Sequence, residues 1–442
     1  MSSIPRLATA AVAAGLATAT LIAAPAASAH PSARHHHSQQ HSEHGQHKRH
    51  HHSATSSKRV LATGLLSPLR AAVSPTGATY VSENFAGKID RVDPGGTTTT
   101  VYTDPHGYEV GGLSMAGRNI VFTVTATNQT TGENTDSWLK LLTPSGHVRT
   151  ITDLHAYEAA DNPDQTTTYG FRDFDPTNAA DAACLATWPT ADNGPATYTG
   201  AVDSHPYATY VMPHGWTYVA DAGANDVLLV SPHGQVRTVA TLPGIPLYVD
   251  AATASGMGLG SCFVGHTYYF EAVPTDVEVA QNGTIYVTSL PGGPEGPQLG
   301  ARGSVFAISA SSGYHGNFRL HPGRHHSGGS YYMHQARQVV SGLMSPTGLA
   351  VGSDGSLYVA QLFGNEVSKI TLGTSHHHGY ARHGTHGTNG ATVTDLISTP
   401  TPGEVEWTPR GLYITSNVLS GTPEDPNGNT TTPDGQLIRY GR

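Results

Sequence analysis

Charge and aromatic residues are scarce in this chain. Asp, Glu, Lys and Arg make up 12% of its 442 residues and aromatics 7%, against 51 Gly and 29 Pro. So little helix-favouring charge beside so many turn formers points to an all-β domain or a repeat array. The 23 Lys and Arg are outnumbered by 32 Asp and Glu, so nothing at neutral pH suggests nucleic-acid binding. After residue 29 no segment is apolar enough to span a bilayer. The sequence contains no Gly-rich phosphate loop, zinc motif or G-x-S-x-G nucleophile elbow. Only two cysteines occur, Cys184 and Cys262.

Residues 1–29 carry Arg6 in a short basic start, a small-apolar run from Leu7 to Leu21 and a closing Ala27-Ser28-Ala29. This reads as a secretory signal peptide, an uncut anchor being the alternative. A secreted or extracytoplasmic location follows, and in an oxidising compartment Cys184 and Cys262 are expected to pair. The formal charge is −9 with 27 His neutral, so acidification reverses the sign of the surface as the imidazoles protonate.

One spacing recurs without a slip: Pro68, Gly77, Tyr80, Val81; Pro206, Gly215, Tyr218, Val219; Pro274, Gly283, Tyr286, Val287; and Pro346, Gly355, Tyr358, Val359. The proline starts a strand without needing a ladder N–H, the glycine closes a hairpin, and the Tyr-Val pair opens the return strand. Two weaker copies lie around Phe122, with Asn119 at the glycine position, and around Tyr413. Each unit continues with a third strand and a fourth, except the last, which ends at Arg442. The missing fourth strand is "RVLATGL", residues 59–65, which matches "QVVSGL", residues 338–343. A six-bladed β-propeller over 59–442, its last blade completed by the N-terminal strand, is therefore expected. An open solenoid is the alternative.

Strand order sorts the insertions. Segments 155–203, 244–271 and 290–303 fall on one face, the top; Cys184 and Cys262 lie in the first two. The His-rich loops 310–337 and 373–390, and the His-rich arm 30–58, leave from the bottom. The arm lacks apolar periodicity and is expected to be disordered. Clustered imidazoles at His35, His36, His37, His50, His51, His52, His376, His377 and His378 could hold a transition metal. They equally fit a solvated low-complexity spacer.

At the channel mouth the repeat places Arg70, Asp276 and Glu404 two residues after the leading proline. Glu83 and Asp221 fall just past the second strand, with Asn84 and Asn225 close behind, and Asp203 and His205 precede the third unit. Carboxylates beside amides could hold one divalent cation, calcium or zinc, and His205 beside Asp203 could act as a base. The other reading is a polar pore whose charges neutralise one another.

At "VDSHPYATYV", "YVADAGANDVLLV", "EAVPTDVEVAQNGTIYVTSLPGGPEGPQLGARGSVFAI" and "PTGLAVGSDGSLYVAQ" the chain resembles the ScyD/ScyE family of exported bacterial proteins, whose blades are similar to NHL repeats. The likeness runs over nearly all of 59–442, with the His-rich loops as departures. It implies a secreted or periplasmic propeller without an established reaction. Three functions are compatible with the sequence. One is a non-catalytic propeller binding a small molecule, glycan or protein at the top face. The second is a metal-dependent lactonase- or esterase-type hydrolase at the channel mouth, and the third is metal binding by the His-rich loops.

Overall fold

The structure, a computed structural model, describes residues 57–293, 299–309, 335–373, 390–423, 425–428 and 430–441. The expected leader, nearly all of the His-rich arm and loops, and the His residues at 35–37, 50–52 and 376–378 lie outside the described residues.

Alternating apolar residues between turn-forming glycines give antiparallel strands in succession. Pro68–Val73, Thr79–Glu83, Lys88–Val92 and Thr98–Thr103 form one four-stranded sheet. Glu109–Ala116, Asn119–Thr127, Asn134–Leu142 and Val148–Asp153 form the second, and Pro206–Val211, Thr217–Asp221, Asp226–Val230 and Val236–Thr241 the third. Pro346–Val351, Leu357–Gln361, Glu366–Thr371 and Thr392–Ser398 repeat the pattern. In the last sheet Ser57–Leu65 lies outermost, hydrogen-bonded antiparallel to Gly435–Gly441, which continues through Gly411–Ser416 to Val405–Thr408. The first strand of each sheet packs beside that of the next, and Val405–Thr408 packs beside Pro68–Val73. This is a β-propeller. Apolar side chains fill the wedges between sheets; Leu61, Leu65, Ala71, Val81, Tyr413 and Leu437, for example, form one buried cluster between the last sheet and the first.

The expectation of six equal four-stranded blades is corrected at the fourth unit, leaving five regular ones. That unit is a seven-stranded sheet, because its first strand, Thr267–Val279, begins well before the leading proline. The extra length pairs with Ile245–Tyr248 and Thr168–Phe171, and the latter with Thr197–Thr199. The two top insertions thus build a small cap on one overlong strand. Its core is aromatic, with Trp188 stacked on Tyr268 and Phe171 edge-on to Trp188. Cys184 and Cys262 are disulfide-bonded across it, Cα to Cα 5.8 Å.

The hairpin glycines behave as their spacing requires: Gly77, Gly215, Gly283 and Gly355 all have φ between 78° and 91°, where a side chain is strained. The second unit differs. Its turn is carried by Gly117 at φ 66°, while Asn119 pairs with Ala116 as an ordinary strand residue.

Candidate functional site

A bulge after the leading proline sets the geometry of the axis. Pro68 faces Glu83, but the next pair is Arg70 with Ser82, so Leu69 is looped out into the core. The same slip occurs at Pro206/Ala208, Pro274/Asp276 and Pro346/Gly348. It re-aims the residue two positions on. Only some of these positions carry charge, and those that do converge.

Arg70, 1% exposed, lies at the centre. Its Nη1 donates to Glu404 Oε2 at 2.7 Å and stands 3.4 Å from Asp276 Oδ2. Its Nη2 donates to the carbonyls of Thr275 at 2.5 Å and Thr347 at 2.9 Å. The guanidinium lies 4.2 Å over the Tyr207 ring. Burial disfavours its charge, but Glu404 and Asp276 more than restore it, so the arginine stays ionised. One guanidinium offsets one of the two carboxylates, and burial pushes both above the usual range. Further along the same strands stand Glu278 and Glu406, partly exposed. Burial pushes Glu406 up to about 8 and Glu278 well above its usual value. Between them and Arg70 remains about 10 Å³ of cavity, room for one water.

The other residues singled out in the sequence do not join this cluster. Glu83 accepts from the Leu66 amide at 2.7 Å and pairs with Lys88 at 2.8 Å. Asp221 accepts from Ser204 Oγ, the His205 amide and the amides of Gly223 and Ala224. Gln361 takes the Met344 amide at the matching place in the fifth sheet. These three repeat because each satisfies a backbone N–H just before a leading proline, so their role is to clamp the crossing between sheets. Asn84 Nδ2 donates to Glu109 Oε1 at 3.3 Å, and His205 Nε2 lies 3.0 Å from Glu109 Oε2. Burial opposes the His205 charge, but Glu109 outweighs it and raises the imidazole to about 9. His205 is therefore an imidazolium at neutral pH and cannot accept a proton as a base. Asp203 accepts from Asn134 Nδ2 at 3.0 Å.

A second acidic cluster lies under the 155–203 insertion, and of its members the repeat pointed only to Asn225. Asp164 Oδ2 accepts from Tyr169 at 2.9 Å and Asn225 at 3.0 Å. Asp226 receives one long bond from Thr238, 3.4 Å. Glu158, 2% exposed, has no partner for either carboxylate oxygen. Burial, then repulsion from Asp221, Asp164 and Asp203, raises it to about 9. Glu271, nearby, is raised to about 7 by burial and by Asp164 and Asp203. Among the described residues no Lys or Arg forms an ion pair with any of these carboxylates. The Glu-x₃-Asn-x-Asp spacing of residues 158–164 was the available signal; it belongs to no repeat.

The divalent cation expected at the channel mouth does not fit there, because the Arg70 guanidinium already takes the two carboxylates and two carbonyls. Among the described residues no three His, Cys, Asp or Glu converge in metal-holding geometry, and no helix is long and apolar enough to cross a membrane.

No protein-family profile matches the chain, and no curated protein sequence matches it significantly. Among solved structures it is similar to the PQQ-bound aldose sugar dehydrogenase of Streptomyces coelicolor, with 15% identity and TM-score 0.46, covering 88% of this chain and 99% of that one. It is similar to a gluconolactonase of Xanthomonas campestris, with 11% identity and TM-score 0.46, covering 88% and 90%. The third is the virginiamycin B lyase of Staphylococcus aureus, with 14% identity and TM-score 0.40, covering 81% of each chain. These propellers differ in activity, and the likeness assigns none of their reactions to this chain.

Proposed function

We propose that this chain is an exported, ScyD/ScyE-like propeller that binds a small molecule, glycan or protein on its top face and carries out no reaction of its own. In this reading the inner four strands of the seven-stranded sheet count as a blade. The ring then has six, and Ser57–Leu65 closes it.

One observation carries the reading. The axial position where a propeller hydrolase would need a free ion and a base is filled by Arg70, whose two Nη atoms are committed to Glu404, Thr275 and Thr347. The nearby imidazole of His205 supports it, being held protonated by Glu109. Elaboration beyond the four-stranded unit is instead concentrated in the disulfide-tied cap, as expected of a recognition surface carried on a rigid scaffold.

The test is a panel of lactones and esters offered to the purified protein with calcium or zinc, beside a glycan and peptide array. Binding without turnover is the expected result. Turnover that disappears in Asp276→Asn would replace this reading with the hydrolase.

A further inference from the structure

We propose that residues 154–167, which join the second sheet to the cap, form a pH-sensitive latch: the segment lies against the third sheet while its buried acid groups stay neutral and lifts away as they ionise. The rest of the propeller stays folded when it lifts. This device does not rest on the function proposed above.

The segment is anchored at both ends. It follows the strand Val148–Asp153 and runs into the cap strand Thr168–Phe171. Its helix, Leu154–Asp161, is capped by Asp153, which accepts from the Ala156 amide, and Leu154 is buried in the apolar cluster between the second and third sheets. Beyond that first turn, hydrogen bonds reach across to the third sheet. The Tyr157 hydroxyl meets Thr238 Oγ1 at 2.9 Å, and Asn225 Nδ2 donates to Asp164 at 3.0 Å.

Acid groups face this seam from both sides. Glu158 and Asp164 come from the segment; Asp221 and Asp226, paired across the top turn of the third sheet, come from the other side, and all four are buried. Asp203 repels both Asp164 and Glu158, and Glu271, on the overlong strand, is repelled by Asp164. Asp161, at the end of the helix, adds to the repulsion on Glu158. The cations of the neighbouring elements are engaged elsewhere. Lys140, on the strand beneath the helix, stands 3.7 Å from Asp104, Arg172 lies over the Tyr269 ring, and His205 is paired with Glu109. His155, on the helix itself, has no partner at Nδ1.

Hydrogen bonding separates the groups that can be anions here from those that cannot. Asp221 accepts from one hydroxyl and three amides, whereas Glu158 accepts from nothing and Asp226 receives only the long Thr238 bond. A buried carboxyl without donors keeps its proton. Glu158 does so up to about 9, and Asp226 is raised well above its usual range. Water reaching them in the lifted state lets both ionise at ordinary pH. The closed state thus binds more protons, so closing weakens as pH rises, by about tenfold per pH unit for each proton retained.

The experiment is amide hydrogen exchange of the purified protein from mildly acidic to mildly alkaline pH, read on peptides by mass spectrometry. Hydroxide catalysis gives an amide of constant protection a slope of one in log rate against pH. Peptides from 154–167 should be steeper than one, while those from the first sheet, 68–103, should stay at one. The double variant Glu158→Gln/Asp226→Asn copies the neutral forms and should bring 154–167 back to one, with the exposed-site control Asp354→Asn behaving as wild type. A slope of one for 154–167 in wild type overturns the proposal. Equal steepening in the first sheet also overturns it, since the protons would then act on the whole fold, as does a wild-type slope in the double variant.

Discussion

Gly348 is the gap into which Glu404 fits. A Cβ on Gly348 would lie 2.7 Å from both the Cα and the Oε1 of Glu404. Each lies two residues after a proline at the inner edge of its sheet, in neighbouring sheets, so one side chain is absent in order that the next can turn inward to Arg70.

Gly348→Ala should therefore displace Glu404 and cost about 1–3 kcal/mol by overpacking, read as a lower denaturation midpoint at unchanged slope. Adding Glu404→Gln should not restore it, since the clash involves backbone as well as carboxylate.

Arg70→Met should be severe. It leaves Asp276 and Glu404 buried without their cation, a loss of about 3–5 kcal/mol for a broken buried pair. The triple variant with Asp276→Asn and Glu404→Gln should recover much of it, and equilibrium unfolding of the three proteins measures the recovery.

Removing the disulfide by Cys184→Ser/Cys262→Ser opens a crosslink spanning 78 residues, worth about 4 kcal/mol in chain entropy. Because the bond lies in the cap, the expected first effect is protease cleavage within 155–203, ahead of global unfolding.

Stability should fall as pH rises. Folded Glu158 keeps its proton up to about 9, whereas the unfolded one releases it near 4.5. Through that interval the native state binds more protons, so the unfolding free energy declines. His205 acts in the same direction: its contribution is complete below 6.5 and is lost as pH passes about 9. Denaturant melts across this range should show the decline, reduced in Glu158→Gln. An imidazole resonance titrating near 9 should vanish in His205→Asn.

The propeller was legible because its signals are local: a proline that opens a strand, a glycine that turns it and a period of two between them. The bulge was not, since a one-residue slip in pairing leaves no trace in the spacing, yet it is what turns Arg70 and Asp276 toward each other. Equal spacing also misled. Glu83 and Asp221 recur where the backbone has an amide to satisfy, and that need imitates a binding site. The cluster under the cap stayed hidden because Asp164 and Asn225 meet across 61 residues, and neither the helix at Leu154–Asp161 nor the loop after it has a counterpart in the other sheets among the described residues.

The pairing of Ser57 with Gly441, 384 residues apart, fixes the order in which the fold can be completed. During synthesis Ser57–Leu65 emerges well before its partner Gly435–Gly441. Until then Gly411–Ser416 has no neighbour on one side, and Ser57–Leu65 is unpaired. In that interval two open strand edges can mispair with those of another chain. Contacts this distant make for slow folding, and loss of Gly435–Gly441 would free both Ser57–Leu65 and one edge of Gly411–Ser416.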